Sequence, residues 1–418
     1  MHPDIRLTGA MVDSAMRTIN HDVAIIGGGL VGTWAAYFLR KRGRSVAVIE
    51  KGAVGSQASG VNFGNVRLQG RHPVEFPLAL RAHEIWEQIE QLIGERCEFS
   101  PCGHCYIALD GNELPRLERY HAEGSAAGLA IELIGANELR RRFPWLGPDA
   151  CGATWSRRDG TANPRLATPA VARAARALGA EIFPDTRVTG FEPTGDRFRV
   201  VTDRGLAFEA PLVVNAAGAW GNEIAEQFGE TSPMFPAAPP HFVTEPLPYF
   251  VKSALQAVDG SVIFRQVERG NVVVGFYPRG PADRVYNRAT VPPAKVLLGL
   301  GHMARVVPML RHAQAIRVWS GIEGYLPDML PVMGWSRTTR NLLHAFGFCG
   351  HGFQLSPGVG STLAEMIDEG KPRIPIEAFA IDRFAGKLQP DAERLTGEFD
   401  PALASAAMSS PATQIARP

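Results

Sequence analysis

Cysteine is scarce in this chain of 418 residues, with five in all. So few cannot staple a polypeptide of this length, which excludes a disulfide framework and leads us to expect a reducing, cytoplasmic compartment. An excess of one charge is missing too. Lys and Arg number 43 against 42 Asp and Glu, a formal +1, which leaves no electrostatic footprint for nucleic acid. No apolar run approaches the roughly 18 residues that a membrane-crossing helix needs. The opening MHPDIRLTGAMVDSAMRTIN has no signal-peptide core. Residues 1–20 therefore read as a flexible leader and residues 396–418 as a flexible tail. Internal repeats, a His-x3-His metal spacing and a Gly-x-Ser-x-Gly nucleophile elbow are all lacking.

What is present begins at Asp22. Val23–Ile26 is a short, fully apolar run of the kind a strand buried on both faces shows. It leads into Gly27-Gly28-Gly29-Leu30-Val31-Gly32, a helical stretch closed by Gly43, and a second apolar run, Val46–Ile49, ending on Glu50. Gly27 permits the tight turn, Gly29 lets backbone approach a pyrophosphate, and Gly32 lets helix and sheet pack closely. The helix N-terminus offers free N–H groups and positive dipole to phosphates. Glu50 is placed to accept hydrogen bonds from ribose hydroxyls. Strand, helix, second strand and terminal acid together point to a dinucleotide site.

A loop of small residues follows, from Lys51 through Ser56, Ala58, Ser59, Gly60, Val61 and Asn62 to Arg67. It is too long for a simple turn, and its composition suits wrapping a bulky planar ligand. GGGLVG…VIEKG followed by GSQASGVNFGNVR resembles the D-amino-acid oxidase superfamily of flavoproteins. Its glycine oxidases, sarcosine oxidases and opine or hydroxyproline dehydrogenase flavin subunits are the nearest in pattern. The resemblance implies that this loop runs alongside FAD and that Arg67 lies near the flavin.

Farther along, Pro73–Ile93 reads as a helix. Cys97, Cys102 and Cys105 have C-x4-C-x2-C spacing, which formally matches part of a ferredoxin cluster motif with Cys151 or Cys349 as fourth ligand. The preferred alternative is a strand over Cys105–Leu109 carrying small buried thiols. A helix over Ala167–Leu178, a strand at Glu181–Phe183 and hairpins after Thr186 come next. The resemblance places the Val188 backbone against the adenine and Ala217, Gly218 and Trp220 beside the FAD. Prolines at 233, 236, 239, 240, 246 and 248 mark a crossover. Beyond it, the alternating stretches around Glu268-Arg-Gly predict a hairpin.

The last informative region contains Pro327-Asp328, Pro331–Gly334 and the loop Gly347-Phe-Cys-Gly350-His351-Gly352-Phe353-Gln354. The loop precedes a helix expected to open at Ser356 or Pro357. Its N–H groups and the helix dipole would stabilise negative charge on a reduced flavin. Where sequence relatives carry a carboxylate-clamping arginine two positions after a Trp-x-Gly glycine, this chain has Glu323. Where sarcosine oxidases carry a lysine before the last helix, it has Gln354. No cysteine lies at 319–330, so FAD is expected to be held non-covalently. Arg265 or Arg71 is then the candidate carboxylate partner. Alternatively Glu323, with Tyr325 beside it, faces a cationic substrate group or pairs with a neighbouring arginine.

The expected architecture is α/β, with a Rossmann-like FAD-binding domain built from residues 21–75, 146–232 and 335–385. A discontinuous antiparallel-sheet substrate domain would comprise 76–145 and 233–334. The expected function is FAD-dependent oxidation of an amino acid or N-substituted amino acid, with oxygen or another acceptor and with a homo-oligomer or partner subunit conceivable. A hydroxy-acid dehydrogenase, a hydroxylase and a flavin-holding subunit are the alternatives.

Overall fold

The computed structural model describes residues 16–385 and 389–409. A six-stranded sheet runs 332–335, 342–346, 212–215, 23–26, 46–49, 181–183, parallel except for the antiparallel edge strand 332–335. Its central strands are buried on both faces. Val23, Ile25, Val46 and Val48 face the helices Leu30–Lys41, Pro164–Ala177 and Gly352–Glu369. Ala24, Ile26, Ala47 and Ile49 face an antiparallel meander formed by Val188–Thr194, Arg197–Thr202 and Leu206–Ala210. Successive side chains in a strand point to opposite faces, so two different layers are packed by one alternating sequence.

A second sheet has eight strands in the order 315–320, 240–246, 271–276, 262–266, 254–257, 104–108, 152–156, 131–135. Its registers sort side chains into two rows. Phe242, Val274, Phe264, Leu255 and Cys105 lie in register and form a core that is closed by the Pro293–Val306 helix. One register over, His241, Gly275, Ile263, Gln256 and Tyr106 line a cavity on the opposite face. A small third sheet, 288–289, 280–283, 235–238, 323–325, sets Glu323 opposite Ala237 and Tyr325 opposite Phe235.

Several expectations need correction. Residues 17–20 of the expected leader form a strand, parallel to 206–209; residues 1–15 lie outside the described part. RTIN is too short to show a pattern, and only its pairing and the packing of Ile19 against the meander core make it a strand. Much of the expected tail is helical, at Ala392–Glu398 and Pro401–Met408, with Leu395 and Phe399 buried; residues 410–418 lie outside the description. The Phe76–Glu87 helix packs on Gly352–Glu369, and Trp86, Cys97 and Phe99 join the core beneath the Rossmann-type sheet. The chain therefore crosses to the large antiparallel sheet near residue 100. It leaves that sheet after Ser156, since 152–156 is one of its strands. The last long helix begins at Gly352, leaving Pro357 inside it and the helix one backbone donor short.

Cys105 and Cys97 lie in different cores, under the large sheet and under the Rossmann sheet respectively. All five thiols are free, and among the described residues no group of three His, Cys, Asp or Glu side chains is arranged to hold a metal.

Candidate active site

The first cleft opens where the Val23–Ile26 strand turns into the Leu30–Lys41 helix. Gly27 has φ +108°, and a side chain there would strike the Ala216 carbonyl. A side chain at Gly32 would strike the Gly27 carbonyl, so Gly32 acts in helix–strand contact rather than at the cleft wall. The helix N-terminus has no side-chain N-cap at Gly29, and the Leu30 N–H reaches Ser59 Oγ at 2.8 Å. Glu50 accepts from the Gly28 N–H at 2.7 Å and the Gly52 N–H at 2.8 Å. Its carboxylate thereby ties the glycine turn to the end of the second strand while lining the cleft.

Farther along, the walls are Val31, Ser56, Ala58 and Asn62 on one side and Val188, Ala217, Gly218 and Trp220 on another. The Lys51 ammonium sits 3.0 Å from the Trp220 ring centroid and donates to Asn287 Oδ1 at 3.0 Å. Burial lowers its pKa to about 8. Gly60 and Val61 do not line the cleft. Gly60 packs on the Gly55 carbonyl, and the Val61 carbonyl accepts the Trp319 indole N–H at 2.7 Å. At the far end stand Gly347, Gly350, Gly352 and Phe353, where the Gly352–Glu369 helix begins with no side-chain cap.

One cleft therefore receives two helix N-termini whose own N-cap residues supply no side-chain hydrogen bond, each favouring negative charge. It is walled by glycine and alanine where a planar ligand must pass. This fits FAD: pyrophosphate at the Leu30 end, and the flavin edge that gains charge on reduction at the Gly352 end.

A second cavity adjoins the first and shares with it Asn62, Glu323, Cys349, Gly350 and Phe353. Glu323 is thus at the seam. Tyr325 donates its hydroxyl hydrogen bond to Glu323 Oε2. Burial raises the Glu323 pKa, against the pull of Tyr325 and of Arg279 nearby. Arg279 was not singled out from the sequence. Its guanidinium donates to Tyr277 Oη at 2.8 Å and pairs with Glu398, stacked over Tyr277, Tyr325 and Phe399 at 4.2, 4.9 and 5.0 Å. Glu398 also receives Arg394 Nε at 3.0 Å. Burial alone would raise the Glu398 pKa, but Arg394 and Arg279 hold it well below the usual carboxylate range.

The remaining candidates divide. Arg67 lines the cavity, its guanidinium 5.9 Å from the Tyr106 ring and hydrogen-bonded to the Gln69 carbonyl. Arg71 also lines it, donating to the Arg67 carbonyl at 3.1 Å and to Gln354 Oε1 at 3.0 Å. Burial, with Arg67 beside it, lowers the Arg71 pKa to about 10, so it remains charged at neutral pH. Gln354 is not a wall residue of either space. Its amide bridges Arg71 and the Ala79 carbonyl, at 2.9 Å from the latter. Arg265 is likewise set back, donating to the Phe63 carbonyl at 3.1 Å. It lines neither space, which sets it apart from Arg71 as a candidate clamp. His351 lines the second cavity rather than the first, with Nδ1 3.0 Å from both carboxylate oxygens of buried Glu75. Burial pushes its pKa down to about 3, leaving a neutral ring that donates to Glu75.

Sequence reading missed Arg279, Arg394 and Glu398. Arg279 carries no motif, and the other two lie in a segment whose only clue is Leu395 and Phe399 at helical spacing.

The class defined by fold and site is a flavin-dependent oxidoreductase with a Rossmann-type dinucleotide cleft roofed by an antiparallel sheet. The family model for FAD dependent oxidoreductases, DAO, matches residues 22–366, and the chain belongs to that family. Glycine oxidase of Geobacillus kaustophilus is 27% identical over 381 residues, 89% of this chain and 99% of the relative. Sarcosine oxidase subunit beta of Rhizobium meliloti is 29% identical, covering 87% and 88%. Among solved structures, L-proline dehydrogenase from P. horikoshii superposes with a TM-score of 0.82 at 27% identity, covering 91% of this chain and 99% of that one. The protein is an FAD-dependent enzyme of the amino-acid oxidase and dehydrogenase type. No helix among the described residues is long and apolar enough to cross a membrane.

Proposed function

We propose that the protein oxidises the C–N bond of an amino acid or N-substituted amino acid to the imine, with preference for a substrate bearing a cationic group. Water then converts the imine to an oxo acid plus amine or ammonia. FAD, held along the cleft from Gly27 and Leu30 to Gly350 and Gly352, would supply a two-electron acceptor for the hydride equivalent leaving the carbon that bears nitrogen. The protein's part is to orient the substrate and exclude water.

The carrying observation is a mismatch of charges in the second cavity. Arg279 and Arg394 pair with Glu398, and Arg116 pairs with Glu393. Arg67 and Arg71 also line the cavity; neither makes a direct ion pair with a carboxylate among the described residues, and buried Glu75 and Asp159, which act on Arg71 from farther away, do not line the cavity. Glu323, also at the wall, has only the Tyr325 hydroxyl as a direct partner. A buried charge is costly until it meets its opposite. A ligand with a carboxylate for Arg67 and Arg71 and a cationic nitrogen for Glu323 satisfies both. The relation to a sarcosine oxidase beta subunit supports a partner subunit.

The test is anaerobic flavin reduction by D- and L-amino acids, N-methyl amino acids and opines, followed by admission of air. Reduction by amino acids with a free or substituted amine is expected. Reduction by 2-hydroxy acids alone, or by NADPH alone, contradicts the proposal. Reoxidation by air separates an oxidase from a dehydrogenase.

A further inference from the structure

We propose that Glu398 is a positioning residue that keeps Arg279 off Glu323, leaving Glu323 free for the cationic group of the substrate. This rests on the reading of Glu323 just given and extends it to a segment outside residues 22–366, the stretch matched by the family model.

The C-terminal segment is built into the cavity. Asp391, Arg394 and Glu398 line it. The Asp391 N–H donates to the Pro327 carbonyl at 2.9 Å, close to the strand that carries Glu323. Arg279 and Phe399 form a parallel backbone bridge. In it the Arg279 N–H donates to the Glu398 carbonyl at 2.8 Å, and the Asp400 N–H donates to the Arg279 carbonyl at 2.9 Å. Lys295 pins Asp400 at 2.9 Å. Phe399 is buried, with its ring edge-on to Tyr325 at 4.9 Å. Arg279 is thus held by this segment through both its backbone and its side chain.

The consequence for Glu323 follows from geometry at Gly350. A methyl group on Gly350 would lie 3.6 Å from Arg279 Nη2, 3.6 Å from Tyr325 Oη and 3.7 Å from Glu323 Oε2. Cation and carboxylate converge on one small space, yet they are not paired in it. Arg279 turns its Nη1 to Glu398 and its Nη2 to Tyr277 Oη. Three aromatic faces keep the guanidinium plane in place. Were Glu398 neutral, Glu323 would stand across the small space at Gly350 from a buried guanidinium without a counter-charge, and the two would pair. A Glu323 so neutralised has nothing left to offer a cationic substrate. Arg394 gives Glu398 a second cation, so its carboxylate stays charged while it restrains Arg279.

The test uses the holoenzyme and two isosteric probes, arginine and its uncharged ureido analogue citrulline, each as both enantiomers. Glu398→Gln is expected to lower the arginine-to-citrulline ratio of kcat/KM by about tenfold or more, through KM for arginine. Glu398→Asp is expected to restore part of the ratio. Adding Arg279→Gln to Glu398→Gln is expected to restore it as well, because the competing cation is gone. An equal loss for both probes in Glu398→Gln would mark Glu398 as merely structural and overturn the proposal. If that variant does not retain FAD, Arg279→Gln decides, since it leaves Glu398 paired with Arg394. A retained ratio supports the proposal and a collapsed one overturns it. Glu323→Gln separates the two levels: a ratio that survives there removes the cationic-substrate reading itself. A ratio that collapses there but survives Glu398→Gln removes only the role of Glu398.

Discussion

The cofactor cleft and the substrate cavity meet at Glu323 and Gly350, yet they are built on opposite principles. The cleft is made of what is absent: side chains at Gly27, Gly29 and Gly352, and N-cap side-chain hydrogen bonds at the two helix N-termini. Its chemistry is backbone N–H and dipole. The cavity is made of long charged and aromatic side chains gathered from distant parts of the chain. Arg279 and Glu398 are 119 residues apart. The first depends on backbone turns such as Gly27, where a side chain would strike the Ala216 carbonyl; the second can be re-paired, and so can be retuned.

The largest effect should come from breaking the cleft. Gly27→Val puts branched atoms against the Ala216 carbonyl at a positive φ. Colourless protein without flavin absorbance is expected, and a yellow, active variant would contradict the backbone-contact account. Next comes the cationic end of the cavity. Arg71→Gln should lower kcat/KM by about 30-fold or more, as loss of a buried charge-assisted contact does, while FAD content is kept. Loss of flavin together with activity would blur the distinction between the two regions.

A smaller effect is expected from pH. Burial raises the Glu323 pKa above its ordinary 4.5, so the carboxylate is neutralised as pH falls through that elevated value. Preference for a cationic over a neutral substrate should therefore be full on the alkaline side and fade on acidification. The rate with a neutral amino acid should not follow the same curve, which steady-state kinetics of the two substrates across pH would check. The smallest effect is expected at Lys51→Met, which removes one cation over Trp220 and one exposed hydrogen bond. FAD affinity should weaken by only several-fold, measured by flavin titration of the apoprotein.

The difference in construction also explains what the sequence disclosed. Gly27, Gly29, Gly32 and Glu50 are legible because a tight turn, a close approach and a strand-end acid are local demands within one βαβ unit. The unbroken apolar run Val23–Ile26, buried on both faces, is local as well. Glu323 and Arg71 were visible as departures from, or substitutes for, a family pattern, and Tyr325 and Gln354 were named beside them, but the pairing of Arg71 with Gln354 was not. Arg265 and Arg71 read alike as carboxylate clamps in the sequence, but only Arg71 lines the cavity. Gln354 turned out to support Arg71 rather than to meet a ligand. Glu398 was hidden because an alanine-rich tail reads as unstructured unless the buried positions of Leu395 and Phe399 are known. The start of the last helix was misplaced because proline favours a first turn, and here Pro357 lies within the helix.

The central claim is that Glu323, left unpaired at the seam, selects for positive charge. Anaerobic reduction rates of the bound flavin with arginine and citrulline, in the native protein and in Glu323→Gln, test it most directly. The account predicts a preference for arginine of about tenfold or more in the native protein, and near-equal rates in the variant. Equal rates in the native protein, or a preference untouched by the substitution, would contradict it.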